Sequence, residues 1–458
     1  MYLLYSLLLT IGVVALLPRF IYDAFKHGKY VEGLRERAGR LPAIQSGGRP
    51  VIWLHCVSVG EAQAARPLAL ALLKRFPEHA LVVSTTTRTG QQVAREVFQE
   101  SACAVFYFPF DWSWSVRRAL RTVAPAAVLI METELWPNFL RACRAGGIPV
   151  ALVNGRISEK SFRHYKWIRP FMRRVTGDLS LALMQSEEDA ARLLALGIGP
   201  ERVLVSGNVK FDGGQNSGEQ ALTLEFKERF HLDVERPLVV AASTHAPEER
   251  IVIAAFRELQ SSLSLARPRL LLAPRKPERF QEVAALIAAS GLTWTRRSVE
   301  ATDADATSDV ILLDSIGELR AVYPLAEIVF VGGSLARRGG HNVLEPAAAG
   351  VCILTGHHTF NFKAVTRAFL EARALVQMPP VEEEEAAHVL AQALRELLTD
   401  TEARRGFGLR AREVLERNRG ATERTVEHLS AILPLSTSSS TGGAPDQLKE
   451  ARRAPLKA

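Results

Sequence analysis

The sequence predicts an α/β protein with two parallel-sheet domains in succession. From Pro50 onward, short β-branched runs alternate with stretches rich in Ala, Leu and Arg, which is typical of βαβ units. The alternation stops at "GGQNSGEQ", residues 213–220, and then starts again. The length of 458 residues also exceeds what one ordinary core holds. We therefore expect two doubly wound, Rossmann-like domains that face a cleft.

The strands expected in the first domain are "VIWLH", "ALVVST", "CAVFYF", "AAVLIM", "PVALVN", "LALMQS" and "RVLVSG". Those expected in the second domain are "PLVVAAS", "RLLLAP", "DVILLD", "EIVFVGGS" and "VCILTG". Open sheets of this kind bind ligands beyond the carboxyl ends of their strands. The loops that follow these runs are therefore the places to look for a site.

The N-terminal run from Tyr2 to Leu17 carries no charge and predicts a membrane-anchor helix. A helix of this length measures about 24 Å, which is shorter than a hydrocarbon core of about 30 Å. A tight span and a deeply embedded anchor both fit, whereas a cleaved secretory signal and a buried core helix fit less well. Basic residues follow the run, which predicts that the rest of the chain lies on the cytoplasmic side of the membrane.

The composition and net charge limit the class of protein and the kinds of partner to expect. Hydrophobic residues make up 47% of the chain and charged residues 23%, so most of it should fold. The four cysteines lack CxxC spacing, which suggests neither a disulfide framework nor a zinc site. We expect no metal and no cofactor. The formal net charge of +8 favours phosphates, nucleotides or anionic lipid headgroups as partners, and solubility alone would also explain it.

Domain limits follow from these patterns. We expect a membrane anchor at 1–29, a first domain at 30–212, a linker at 213–220 and a second domain at 221–432. The remaining tail, 433–458, is rich in Ser, Thr, Gly, Ala and Pro, which predicts disorder.

Two acidic motifs end strands of the first domain. Glu61 in "SVGE" lies near the start of a helix, where its carboxylate either simply stabilises the helix dipole or acts as a general base. Glu132 and Glu134 in "METELWPN" follow another strand, either as solvated charges or as part of a pocket with Trp136 and Pro137. The residues alone leave both alternatives open.

The second domain offers a glycine-rich, doubly basic loop, "GGSLARRGGHNVLEP". Its backbone N–H groups could approach a phosphate, although the loop matches neither a Walker motif nor a dinucleotide fingerprint. Asn342 and Glu345 form either a capping box or a ribose-binding pair. Further polar groups follow other strands: Ser243, Thr244, His245, Arg275, Lys276, Gly317, Glu318, His357 and His358.

Acids in the first domain and anion-binding loops in the second favour sugar transfer from a nucleotide donor, with the acceptor in the first domain. The ordered motifs "SVGE", "METELWPN", "NGRIS", "GNVKFD", "STHAPEE", "APRKPERF", "GGSLARRGGHNVLEP" and "GHHTFNF" resemble the lipid A 3-deoxy-D-manno-octulosonic acid (Kdo) transferases. This resemblance implies a GT-B fold, CMP-Kdo as donor, a tetraacyl lipid A precursor as acceptor and an inverting mechanism in lipopolysaccharide biosynthesis. It implies no nucleic-acid partner.

The resemblance also implies roles for individual residues. Glu61 matches the general base of the family, and Glu132 and Lys210 match positions that stabilise the transition state. The CMP contacts fall on Pro274, Arg275, Ile316, Gly317, Glu318, Asn342, Val343, Leu344 and Glu345.

This chain departs from the family pattern at Ala242, which replaces a glycine, and at His357, which replaces a proline. Both lie in donor-side loops, so they bear on donor geometry and not on the reaction class. Two other functions remain as alternatives. One is a GT-B transferase for another nucleotide sugar, and the other is a non-catalytic module that binds anionic lipid.

Overall fold

The computed structural model describes residues 1–27, 32–212, 219–232, 236–262 and 267–433, without the side chains of 19–27 and 262. The strands are β1 Val51–His55, β2 Ala80–Thr85, β3 Ala104–Tyr107, β4 Pro125–Met131, β5 Val150–Gly155, β6 Leu181–Met184, β7 Val203–Val205, β8 Leu238–Thr244, β9 Arg269–Pro274, β10 Trp294–Arg296, β11 Val310–Leu312, β12 Ile328–Val331, β13 Cys352–Thr355 and β14 Val376–Gln377.

Helices separate these strands and cover both faces of each sheet. The helices are α1 Tyr2–His27, α2 Leu34–Arg37, α3 Val59–Arg75, α4 Arg88–Val97, α5 Ser113–Val123, α6 Pro137–Ala145, α7 Glu159–Trp167, α8 Arg169–Thr176, α9 Glu187–Leu196, α10 Glu219–Arg229, α11 Glu248–Ser262, α12 Phe280–Ala288, α13 Ala304–Thr307, α14 Leu319–Val322, α15 Leu344–Ala349, α16 Lys363–Glu371, α17 Glu383–Thr399, α18 Thr401–Asn418 and α19 Ala421–Leu429.

Two seven-stranded sheets confirm the predicted α/β architecture. The first has the order β3-β2-β1-β4-β5-β6-β7, and the second has the order β10-β11-β9-β8-β12-β13-β14. All the recorded strand pairs are parallel, and most strands are buried along their length, which explains their continuous apolar sequences. Only β10 and β14 were not expected, because Trp294–Arg296 and Val376–Gln377 contain no continuous apolar run.

The direction of the strand order reverses between β1 and β4 in the first sheet and between β8 and β12 in the second. At such a switch point the loops that follow the two strands diverge to opposite faces and open a crevice. Arg367 in α16 lies 3.7 Å from Glu188 in α9, so the second domain contacts the first on the side of these loops.

The end of the chain returns to the first domain. Side chains of α19, including Ala421 and Leu429, pack in the same apolar cluster as β1 and α3. The predicted second domain, 221–432, included this helix, and the predicted tail at 433 began with Leu433, which is fully buried in that cluster. Residues 434–458 lie outside the described part, as do 213–218 of the predicted linker, while Glu219 and Gln220 begin α10.

The predicted anchor run is helical and belongs to α1. Within the described part of the chain, no helix combines the length and apolar character needed to cross a membrane. The membrane anchor stays a prediction.

Candidate functional site

The two catalytic glutamates predicted in the first domain follow the two strands that flank its switch point. Glu61 lies in the first turn of α3, directly beyond β1, and Glu132 is the first residue after β4. Because β1 and β4 are neighbours, the fold brings together residues that are 71 positions apart in the sequence. The arrangement places both carboxylates where an open α/β sheet binds its ligands.

The Glu61 carboxylate is held by two donors at the start of α3. The backbone N–H of Val57 donates to Oε2 at 2.8 Å, and the Ser58 hydroxyl donates to Oε1 at 2.9 Å. Ser58 is the N-cap residue, and its Oγ in turn accepts the N–H of Glu61. The structure therefore contains the helix-start interaction that the sequence offered as the simpler explanation. That interaction also fixes the orientation of the carboxylate.

Burial and nearby negative charges also act on the Glu61 carboxyl. The residue is only 8% exposed. Burial, followed by the negative charges of Glu132 and, more weakly, Glu134, raises the pKa of Glu61 to about 7, although the N–H of Val57 and the hydroxyl of Ser58 oppose the shift. A carboxyl with a pKa near neutral pH can accept a proton as a general base under ordinary conditions.

Glu132 and Lys210 form an ion pair beside this base. Lys210 lies in the 3-10 turn Val209–Asp212 after β7, and its Nζ donates to Glu132 Oε1 at 2.9 Å. Glu132 has a positive φ of 56°, an uncommon conformation for a residue with a side chain. Arg156, which follows β5, lies 3.9 Å from the other Glu132 oxygen, Oε2. The motif "NGRIS" contained this cation, but the sequence gave it no role.

In the second domain, the glycine-rich loop does not present all its N–H groups to a ligand. The fully buried carboxylate of Glu248 accepts the backbone N–H groups of Gly333, Ser334, Leu335 and Ala336 at 2.7 to 3.1 Å. It accepts a fifth N–H from His245. The prediction that these amides approach a phosphate is therefore wrong, because an internal anion already fills the loop. The sequence showed Glu248 only as one acid of "STHAPEE".

Arg275 remains a cation at the carboxyl end of the second sheet. It follows Pro274, the buried last residue of β9, and its N–H donates to the carbonyl of Thr244 at 3.0 Å. The Arg275 side chain is exposed, and its charge acts on both His245 and His341. An anion between these strand ends would meet this guanidinium.

The segment from Ile316 to Glu318 lies beyond β11. Ile316 is 74% exposed, and Gly317 has a φ of 89°, which favours glycine. Arg297 donates to both oxygens of Glu318, at 2.9 and 3.1 Å. Burial alone would raise the pKa of Glu318, but hydrogen bonds from Arg297 and Ser315 hold it below its usual value. Glu318 is therefore an anion that is already paired.

Asn342 and Glu345 do not form the predicted capping box. Helix α15 begins at Leu344, after Val343, and Asn342 Oδ1 accepts the N–H of Leu344 at 3.1 Å. The Asn342 amide donates to Glu345 Oε1 at 3.2 Å, and Arg320 donates to the same oxygen at 2.9 Å. Glu345 is partly exposed, so its carboxylate can still meet a ligand hydroxyl.

A histidine pair spans the switch point of the second sheet. Nε2 of His245, after β8, lies 2.8 Å from Nε2 of His341, after β12. The N–H of one ring therefore donates a hydrogen bond to the other ring. Burial and neighbouring positive charge lower the pKa of both rings, to about 4 for His341. The sequence indicated His245 and gave no role to His341, because no local pattern shows that the two rings meet.

The two departures from the family pattern lie in the second domain, whereas Glu61 and Glu132 lie in the first. Ala242 is a buried residue of β8 whose carbonyl accepts the N–H of Gly332 at 2.8 Å. The rings of His357 and His358 lie with their centroids 3.9 Å apart and their planes tilted by 49°. Among the described residues, no group of three or more His, Cys, Asp or Glu side chains is placed to hold a metal ion.

Comparisons with known proteins agree with this architecture. A family model described as 3-deoxy-D-manno-octulosonic-acid transferase (kdotransferase) matches residues 32–213. The 3-deoxy-D-manno-octulosonic acid transferase of Haemophilus influenzae is 34% identical over 89% of this chain and 93% of its own length. The enzyme of the same name from Bordetella pertussis is 36% identical over 82% of this chain and 86% of its own length.

Solved structures extend the comparison of folds. A glycosyltransferase from Rickettsia africae has a TM-score of 0.52 at 12% identity and is aligned over 85% of this chain and all of its own. This likeness shows the fold alone, which has two parallel sheets as in GT-B glycosyltransferases. The sequence relatives establish the family. The chain belongs to the 3-deoxy-D-manno-octulosonic acid (Kdo) transferase family, whose members are glycosyltransferases of lipopolysaccharide biosynthesis.

Proposed function

We propose that the enzyme transfers Kdo from CMP-Kdo to a hydroxyl of a tetraacyl lipid A precursor with inversion at the anomeric carbon. The observation that carries this proposal is Glu61, a buried carboxyl with a pKa of about 7 at the switch point of the first sheet. A group of this kind accepts the proton that an attacking hydroxyl must lose.

The proposed reaction is a single displacement that needs one general base. The acceptor oxygen attacks the anomeric carbon of Kdo from the face opposite the CMP phosphate, while its proton passes to Glu61. The bond between the anomeric carbon and the phosphate oxygen breaks, and its electron pair leaves with CMP. A single displacement inverts the anomeric centre.

Lys210 and Glu132 are proposed to stabilise the charge that develops in this step. Lys210 Nζ is held 2.9 Å from Glu132, so the cation has a fixed position beside the base. Fixed charges stabilise a transition state without the cost of reorganisation. The Kdo carboxylate and the departing phosphate are the anions that Lys210 would meet.

The second domain is proposed to hold CMP at the carboxyl ends of β8, β9, β11 and β12. Because Glu248 occupies the loop amides, Arg275 becomes the principal cation for the phosphate. Glu345 is proposed to accept ribose hydroxyls, with Asn342, Val343 and Leu344 beside it. Pro274, Ile316, Gly317 and Glu318 form the other proposed contacts of the nucleotide.

We also propose a location at the cytoplasmic face of the inner membrane, with α1 as an embedded anchor beside anionic lipids. Large apolar side chains on one face of α1 are exposed: Leu3, Leu4, Leu7, Leu8 and Ile11. A helix with such a face binds at a lipid interface.

A transfer assay tests the proposed reaction. Purified enzyme, CMP-Kdo and tetraacyl lipid A precursor are incubated, and the product is read by mass and by the anomeric NMR signals of Kdo. We expect one or more added Kdo residues with inverted configuration. No product from this pair, or retained configuration, would contradict the proposal. The mass also gives the number of Kdo units transferred.

The alternative donor is another nucleotide sugar, and thermal shift separates the two. A ligand that binds only the folded protein raises its melting temperature. We expect CMP to raise it more than UMP, UDP or GDP at equal concentration. A larger rise with UDP would favour the alternative. Membership of an enzyme family sets aside the non-catalytic lipid-binding alternative.

The reaction is proposed to need no metal at the transfer step. Exhaustive chelation should leave the transfer rate unchanged, since Lys210 and Arg275 supply positive charge from the chain itself. Loss of activity that one divalent ion restores would overturn this proposal.

A further inference from the structure

Helix α1 is fixed to the first domain through polar side chains. The Tyr2 hydroxyl donates to Asp178 at 2.6 Å, and the Trp112 indole donates to Thr10 at 3.1 Å. Between these contacts, the Asn138 amide donates to Ser6 Oγ at 2.9 Å. These contacts span more than two helical turns, so the leucine-rich face of α1 is held on the outside.

A groove remains between α1 and the strand ends of the first sheet. Its volume is about 160 Å³. Its apolar lining comes from both sides: Leu9, Val13, Phe108, Phe110, Trp112 and Trp136. Apolar surface dominates the wall of this groove, which favours an apolar occupant.

The polar residues of the groove wall are bonded within the wall. The Arg37 guanidinium donates to the Thr86 carbonyl and lies 4.4 Å from the centre of the Tyr107 ring. Asp111 accepts the backbone N–H groups of Asn138 and Phe139 at 3.1 and 2.8 Å. These charges are therefore engaged within the protein, which leaves the hydrocarbon side chains to face the groove.

The groove wall is hydrogen-bonded to the loop that carries the proposed base. The N–H of Thr86, in the groove wall, donates to the Val57 carbonyl at 3.4 Å, and the N–H of Val57 holds the Glu61 carboxylate. Phe108 stacks on His55, the last residue of β1, with the ring centroids 3.9 Å apart. An occupant of the groove would thus lie next to the loop that carries Glu61.

Trp136 gives the groove one further polar feature. Its indole N–H is buried and has no hydrogen-bond partner among the described residues. A buried donor without an acceptor is unfavourable. A carbonyl or hydroxyl oxygen near the head of an acyl chain would offer it an acceptor once the indole turns toward the groove.

We propose that this groove binds one fatty acyl chain of the acceptor lipid. The inference rests on the proposed function and adds a specificity-determining site to it. Burial of each methylene contributes about 0.8 kcal/mol, so two buried methylenes suffice for a tenfold preference for the acylated acceptor over a deacylated one. Leu9 and Val13 place α1 in the groove wall, and the exposed leucines on the outer side of the same helix would hold the groove close to the lipid phase from which the chain enters.

Val13→Trp tests the proposal, and Val14→Trp is its matched control. Val13 lines the groove, whereas the next residue, Val14, is 61% exposed on the outward side. Both variants are assayed in detergent with the tetraacyl precursor and with its deacylated disaccharide. We expect Val13→Trp to raise KM for the tetraacyl acceptor about tenfold or more, which corresponds to two methylenes displaced. KM for the disaccharide and the donor should stay unchanged, and Val14→Trp should match wild type.

The outcomes separate the groove from the proposed function. If Val13→Trp keeps the wild-type preference for the acylated acceptor, or if Val14→Trp loses as much, the groove proposal is overturned. If wild type transfers Kdo to neither acceptor, the proposed function itself fails. A second readout needs no activity: an acceptor with a photoreactive group at an acyl end should label peptides containing Phe108 to Trp112. Labelling confined to the outward residues of α1 would also overturn the proposal.

Discussion

Glu61 in the first domain and Glu248 in the second lie at corresponding places in the two sheets. Each follows the strand on one side of a switch point, β1 or β8, and each lies in the first turn of the helix that comes next. Both side chains are buried, at 8% and 0% exposure. Position in the fold therefore does not distinguish their roles.

Hydrogen bonding distinguishes them. Glu248 accepts five backbone N–H groups, four of them from the glycine-rich loop after β12. Glu61 has two donors and faces the negative charges of Glu132 and Glu134. A carboxylate that many N–H groups surround holds a loop in place, whereas one with few donors and like charges nearby can exchange a proton. The comparison supports a structural role for Glu248 and the proposed catalytic role for Glu61.

The largest effect is expected for Glu61→Gln. Since the amide cannot take the acceptor proton, kcat should fall roughly 10²- to 10⁴-fold. Binding of CMP, measured by thermal shift, should not change. Initial rates of Kdo transfer provide the measurement, and Gln63→Ala, on the exposed face of the same helix, is the control. A variant that keeps more than about a tenth of wild-type kcat would remove Glu61 as the base.

Glu248→Ala should act on stability instead. It leaves five N–H groups without their acceptor, and each unsatisfied buried group costs about 1–3 kcal/mol. We expect the free energy of unfolding to drop by at least about 3 kcal/mol, as measured by urea denaturation. Glu248→Gln, which keeps one acceptor oxygen, should lose less.

The pH dependence of kcat/KM in a Glu248 variant tests whether Glu248, unlike Glu61, stays outside the proton transfer. In the Glu248→Gln variant, kcat/KM should still fall below a pH of about 7, because the group that titrates is unchanged. A profile that loses this acid limb would show that Glu248 takes part in proton transfer.

Glu61→Gln should also be more stable than wild type at high pH. The pKa of Glu61 is about 7 in the folded protein and 4.5 without its surroundings, so the folded state holds the proton more tightly. The wild-type free energy of unfolding therefore falls as pH rises from about 4.5 to 7, by up to about 3 kcal/mol for this group. Because glutamine does not titrate, the unfolding free energy of the variant lacks this decrease with pH.

The measurement is the unfolding free energy of variant and wild type at pH 5 and pH 8. The variant should gain about 1–3 kcal/mol relative to wild type between these values. If the difference does not change with pH, Glu61 is not the strained acid of this site.

The sequence predicted the sheets well because parallel strands buried on both faces are continuous apolar runs, such as Val51–His55 and Arg269–Pro274. It also placed Glu61 and Glu132 at strand ends, where local pattern and resemblance agree. It missed β10 and β14, which contain no continuous apolar run, and it assigned α19 to the wrong core. A helix that crosses to another domain carries the same apolar periodicity as one that does not.

The interior of the second domain's site was less predictable. The glycine-rich loop was interpreted as an anion cradle, and it is one, but its anion is Glu248 from the same chain. His245 and His341 are 96 residues apart and meet only because β8 and β12 are neighbours. Contacts of this kind depend on tertiary structure, and a single sequence contains no local signal for them.

The smallest expected effect concerns the like charges around Glu61. Glu134→Gln removes the weaker of the two carboxylates that raise the pKa of Glu61, so that pKa should fall. The acid limb of kcat/KM should then move to lower pH by about half a unit or less, with the plateau rate unchanged. Glu100→Gln, an exposed site in the same domain, serves as control and should leave the limb in place. A limb that moves to higher pH would mean that Glu134 acts on the base through something other than its charge, and the contrast with Glu248 would lose its electrostatic basis.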